Sequence, residues 1–112
     1  MQITFMSRDA DAQQFRTAAI RRVRFAMRRL SWLAPHVNVQ LSDVNGQRGG
    51  VDKRCHIEMT TTSGAQVIVT SMARDWLSAL QSALTRASRA LLNSLKRSKQ
   101  LSTPYVKLAQ PS

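Results

Sequence analysis

Four short runs in this chain alternate apolar and polar residues, and two longer stretches repeat apolar residues at a period near 3.6. These periods constrain the fold most, because a period-two run buries one face only as a strand and a 3.6-period run only as a helix. Residues 2–6 place Ile3 and Phe5 on one side. Residues 36–42 place Val37, Val39 and Leu41 inward, residues 53–61 do the same with Cys55, Ile57 and Met59, and residues 65–70 with Val67 and Val69. Ser63-Gly64 suits a tight turn between the last two runs. Residues 44–52, with three glycines, read as a flexible loop.

The first helical stretch spans about residues 13–32. Phe15, Ala19, Val23, Ala26, Leu30 and Leu33 fall within a narrow arc at about 100° per residue, with Met27 at its margin. Asp9 and Asp11 offer N-cap or first-turn carboxylates, and Pro35 ends the run. Ile20 and Phe25 lie off that arc, where they pack on the second helix or form a small exposed contact. The second helix takes Ser71 as its cap and Asp75 in its first turn, and runs to about Lys99. Trp76, Leu77, Leu80, Leu84, Ala87, Leu91 and Leu95 share one face. Residues 101–112 contain two prolines and read as an extended or disordered tail after a domain of residues 1–100.

The element order predicted is β-α-β-β-β-α, an α+β class. Each helix has one apolar face, so the economical packing is a four-stranded sheet with both helices on one face and the other face more open. The first strand is expected parallel to a neighbour through a right-handed crossover.

Charge points to the partner. Lys and Arg number 17 against 6 Asp and Glu, a net +11. Self-repulsion of that size serves an anionic partner, and nucleic acid is the first candidate. The charge is concentrated. Helix one carries Arg16, Arg21, Arg22, Arg24, Arg28 and Arg29 with no acid between residues 13 and 32; helix two carries Arg74, Arg86, Arg89, Lys96, Arg97 and Lys99 against Asp75 alone. Solvated helices usually mix signs at i, i+4, whereas Arg24 and Arg28 repel. Side by side, the two helices would form one basic surface, and arginine's planar fork suits phosphate. The residues expected to contact RNA are Arg21, Arg22, Arg24, Arg28, Arg29, Arg86, Arg89, Lys96, Arg97 and Lys99. Aromatics are only 5%, and neither a strand-borne stacking pair nor zinc spacing is present, so a charged face reading RNA shape is favoured over base-specific DNA recognition.

Other functions find little support. Cys55 and His56 are adjacent, so on a strand they point to opposite faces and make a poor nucleophile–base pair. One Cys and two His argue against a metal site, and no cofactor is expected. The glycines around Arg48 lack the Gly-Lys-Ser/Thr ending of a phosphate loop; they make a flexible turn or touch RNA through Arg48. No run approaches the roughly 20 apolar residues of a membrane span, residues 1–7 lack a signal-peptide pattern, and the single cysteine fits a reducing compartment. A cytoplasmic protein, not an enzyme and monomeric in isolation, is expected. The rivals are a general structured-RNA binder, a membrane-surface protein and a thiol enzyme at Cys55.

The opening Met1-Gln2-Ile3-Thr4, the segment Asp52-Lys53-Arg54-Cys55-His56-Ile57-Glu58, and Ala73-Arg74-Asp75-Trp76-Leu77-Ser78-Ala79-Leu80 leading into a basic helix together resemble the ribosome hibernation-promoting factor family, which includes the ribosome-associated inhibitor protein Y. The resemblance covers about residues 1–100. It implies a fold like that of double-stranded-RNA-binding domains. It also implies docking on small-subunit rRNA, over the mRNA channel and the A and P tRNA sites, where family members block translation and preserve idle ribosomes. The positions carried over are Arg21, Arg22, Arg28 and Arg29 on helix one, and Arg86, Arg89, Lys96 and Arg97 on helix two. Residues 101–112 are too short for the ribosome-pairing domain of long members, and the helices are richer in arginine and poorer in acids than is usual. Two outcomes stay open: a working short-form hibernation factor, or a diverged relative with another RNA target.

Overall fold

The computed structural model describes the backbone of residues 1–44 and 52–108, and side chains up to residue 97 within those stretches. The chain builds β1 (Gln2–Met6), α1 (Ala10–Gln14), α2 (Arg16–Ala26), β2 (His36–Asp43), β3 (Lys53–Thr60), β4 (Gln66–Ala73) and α3 (Trp76–Leu108). The strands form one sheet in the order β1-β2-β3-β4. β1 runs parallel to β2, and the other two pairings are antiparallel. All helices cover the same sheet face, as an α+β chain with single apolar faces requires.

Register and alternation together assemble the core. Phe5, Val39, Ile57 and Val69 are successive cross-strand partners, and so are Ile3, Val37, Met59 and Val67. These rows are buried apart from Ile3, which is half-buried. Val23 and Met27 cover them from one side, with Leu80, Leu84, Ala87 and Leu91 from α3 completing the core. Each fully buried Val, Leu, Ile or Met contributes about 1.5–3 kcal/mol. The β3–β4 turn closes through the Thr61 N–H to the Ala65 carbonyl at 2.9 Å, with Gly64 at φ 91°. An L side chain there would be strained whatever space surrounds it.

The first helical segment departs from the single helix expected over residues 13–32. It starts earlier, at Ala10, and is interrupted at Phe15, whose N–H bonds the Ala12 carbonyl at 2.9 Å. Regular helix then ends at Ala26. Beyond it, Leu30 N–H bonds Met27 O, and Leu33 N–H bonds Leu30 O, each at 2.9 Å. These are three-residue turns, and Met27, Leu30 and Leu33 recur at that spacing. The tighter path brings Leu33 and Ala34 into the core and sets Pro35 O 2.7 Å from Gln2 N at the start of the β1–β2 pairing.

The entry to α3 also differs. Ser71 is not its cap but an inward position of a longer β4, paired with Cys55, and its hydroxyl donates to Ser82 Oγ at 2.7 Å. That bond satisfies the serine, so the strand continues through it. Asp75 takes the cap role: its carboxylate accepts the Ser78 N–H at 2.7 Å and the Ser78 hydroxyl at 3.0 Å. Those bonds, the backbone one foremost, hold the Asp75 carboxyl below its usual range. Leu77, counted on the apolar face, is 39% exposed. The helix continues to Leu108, so residues 101–108 are helical, not extended.

Candidate nucleic-acid interface

Asp75 caps α3 and Asp11 lies on α1, while Asp9, Asp43, Asp52 and Glu58 are engaged at or beside the strands, and none of them pairs with an arginine of α2 or α3 among the described residues. Lys53 Nζ bridges Asp43 at 2.9 Å and Asp52 at 3.2 Å at the ends of β2 and β3. Asp52 is 1% exposed, and its second oxygen has no partner among the described residues. The bond to Asp43 is the main cause raising the Lys53 ammonium above its ordinary pKa, so this cation stays charged for its carboxylates. Asp9 sits at the N-cap position of α1, but its carboxylate instead accepts the Asp43 N–H at 3.1 Å, tying the helix to β2. Glu58 lies 3.5 Å from His56 on the open sheet face. No arginine of α2 or α3 forms an ion pair among the described residues.

Arg21, Arg22, Arg24, Arg28, Arg29, Arg86, Arg89, Lys96 and Arg97 are all exposed. The Lys99 side chain and the loop residues 45–51, Arg48 among them, lie outside the described residues. The exposed set divides by location. Arg21 and Arg22 line a groove between α2 and α3 with Phe25, Ala26 and Gln81, and Arg22 Nη1 donates to Gln81 Oε1 at 3.2 Å. Ala26 and Gln81 carry the groove on toward Ser88 and Arg89. Lys96 and Arg97 instead line a hollow between α3 and the start of β4. Arg86 turns the same way and donates to the Thr70 carbonyl at 2.6 Å, covering part of the sheet's β4 edge. The basic surface thus wraps α3 from the α2 groove to the β4 edge.

Arg28 has a structural task as well. Its Nη1 donates to the Phe25 carbonyl at 2.8 Å, capping the last turn of α2, and its guanidinium lies 4.3 Å from the Phe25 ring centroid. Phe25 itself is 67% exposed. Sequence reasoning placed this ring off the core arc, packed on the second helix or in a small exposed contact, and the exposed contact is what forms; the further signal is an aromatic flanked by arginines at i−4, i−3, i+3 and i+4. Gln81 was not anticipated, because only the packing of α2 against α3 brings it to Arg22.

Cys55 and His56 point to opposite faces. The Cys55 thiol is buried, and burial pushes its pKa up to about 12, which disfavours the nucleophilic thiolate. His56 Nδ1 lies 2.8 Å from Thr70 Oγ1 on the open face, and His36 is exposed at the start of β2. Trp76 is half-buried against the core, with Lys53 Nζ 5.3 Å from its ring centroid. Among the described residues, no three His, Cys, Asp or Glu side chains are grouped to hold a metal ion, and no helix is long and apolar enough to cross a membrane.

No protein-family model matches the chain, and no curated protein is similar to it in sequence. Among solved structures, the fold is similar to the N-terminal domain of Protein Y from Thermus thermophilus, with a TM-score of 0.55 and 19% identity. The match covers 81% of this chain and 96% of that domain. At that identity the likeness shows the fold alone: a sheet of mixed direction, with helices on one face, arranged as in a Protein Y N-terminal domain.

Proposed function

We propose that this chain is a non-enzymatic RNA-binding domain that docks on small-subunit rRNA and, by occupying the mRNA and tRNA sites, inhibits translation in the cytoplasm as a hibernation factor does. The observation that carries the reading is the set of exposed helical arginines with no carboxylate ion pair among the described residues, in a domain most of whose acids are engaged at the strands or at a helix cap. Like charges held together this way are costly until phosphate oxygens neutralise them. The sequence resemblance and the Protein Y-like fold favour the ribosome over other RNAs as the target. The mechanism is steric: arginine–phosphate contacts anchor the domain, and its bulk excludes mRNA and tRNA.

Pelleting of the purified protein with ribosomes and separated subunits, alongside thermal melting, tests this. Arg24→Glu/Arg29→Glu and Arg89→Glu/Arg97→Glu should melt like wild type and stay in the supernatant. Wild type should pellet with small subunits and whole ribosomes, and should inhibit cell-free translation. Equal capture by any structured RNA would identify a general RNA binder. Normal pelleting of both charge-reversal variants would remove the helical face from the docking surface.

A further inference from the structure

We propose that the groove between α2 and α3 is a nucleotide-stacking site that takes one unpaired base of the bound RNA on Phe25, with flanking phosphates on Arg21, Arg22 and Arg89. This inference rests on the RNA-docking reading and adds to it a contact that a purely shape-reading surface does not make. A ring 67% exposed on a helix that buries Ala19 and Val23 on its other side gains little from burial. It is nonetheless held in place. The Arg28 guanidinium lies over the ring, and its bond to the Phe25 carbonyl fixes that arrangement to the backbone. Ordering a side chain before binding lowers the entropy lost on binding.

The surroundings choose the occupant. The groove beside the ring encloses about 470 Å³, within the size range of small-ligand pockets. Ala26 leaves its floor open, and the Gln81 amide, with its oxygen engaged by Arg22, keeps an N–H₂ group able to meet a base edge. Arg21 and Arg22 stand at this groove, and Arg89 at its continuation, with no carboxylate paired to any of them among the described residues. An apolar ring bordered by unneutralised guanidinium groups fits a ligand with a flat π-face and negative charge on both sides of it. A nucleotide within a strand has that form, and base–aromatic stacking with basic flanks is the general means of holding unpaired RNA.

The test uses fluorescence anisotropy with two probes, a short oligoadenylate strand and an RNA duplex of equal length. Loss of one stacked base should weaken oligoadenylate binding by Phe25→Ala about 5- to 150-fold. Duplex binding, melting temperature and the slope of log affinity against log salt should stay as in wild type, because no charge is removed. Phe25→Trp should restore strand binding. Arg21→Gln/Arg22→Gln should weaken both probes and reduce the salt slope. The proposal is overturned if Phe25→Ala binds oligoadenylate normally, or if it loses strand and duplex equally. It is also overturned if Phe25→Ala impairs ribosome pelleting alone, which would assign the ring to a protein contact. Should wild type bind neither probe and arginine variants pellet normally, the RNA-docking reading would fall first, and the stacking site with it.

Discussion

On the helical side of the sheet, Arg21, Arg22, Arg24, Arg29 and Arg89 stand exposed with no ion pair among the described residues. On the open side, the cross-strand row Met6, Gln40, His56 and Thr70 is largely neutral, and the neighbouring row carries Glu58 within 3.5 Å of His56. Both sides meet solvent, yet only one accumulates charge of a single sign. The open face shows what this chain does with a surface left to water: amides and hydroxyls, a histidine beside a carboxylate, and scattered apolar groups such as Ile68 and Met72. The helical face departs from that pattern, so its charge is better understood as serving a ligand than as a solubilising coat.

The largest effect expected from this contrast is ionic. If about six helical cations each neutralise a phosphate, affinity for ribosomes should fall about 10³-fold or more between 50 and 200 mM salt. Arg54→Glu on the open face should leave that slope nearly unchanged. A flat response in wild type, or an equal loss from Arg54→Glu, would erase the distinction between the faces.

Next comes the core that holds the helices on the sheet. Leu84→Ala should cost about 2–5 kcal/mol in stability, and should reduce binding only to the extent that the domain unfolds. Trp76→Ala should cost less than the roughly 3–5 kcal/mol of a fully buried aromatic, because Trp76 is only half-buried. Chemical denaturation of both variants checks the order; a larger loss from Trp76→Ala would mean its contact with Lys53 matters more than its burial suggests.

The smallest effect concerns Cys55. Cys55→Ala should lose about 1 kcal/mol and bind RNA as wild type does. Burial raises the folded thiol to about 12 from an ordinary value of 9.0. The unfolded chain therefore releases this proton first as pH rises. The contribution is fully present below pH 9 and is lost progressively toward pH 12. Alkaline melting of wild type and Cys55→Ala should show wild type losing more stability over that window. Abolished RNA binding in folded Cys55→Ala would instead give the thiol a functional role.

Much of this architecture could be read before any coordinates. Alternation at 37, 39 and 41, at 55, 57 and 59, and at 67 and 69 determined the strands and their buried sides, since side chains on a strand have no other period available. The arginine-rich, acid-poor helices were equally plain as composition. Local pattern misjudged places where distant contacts decide. Ser71 looked like a helix cap until Ser82 on α3 satisfied its hydroxyl inside the sheet. The apolar spacing of Met27, Leu30 and Leu33 fits a helix margin or a chain of tight turns, and the need to reach β1 at Pro35 selects the turns. Which arginines share a groove was also beyond the sequence. That depended on Gln81 meeting Arg22, on Arg86 turning to the Thr70 carbonyl, and on Arg28 folding back over Phe25. Periodicity and charge are properties of neighbouring residues, so the chain alone determined strands, helices and the sign of the charge they carry. Side-chain bonds between residues as far apart as 22 and 81 exist only after packing, so the tertiary structure alone decided where that charge converges.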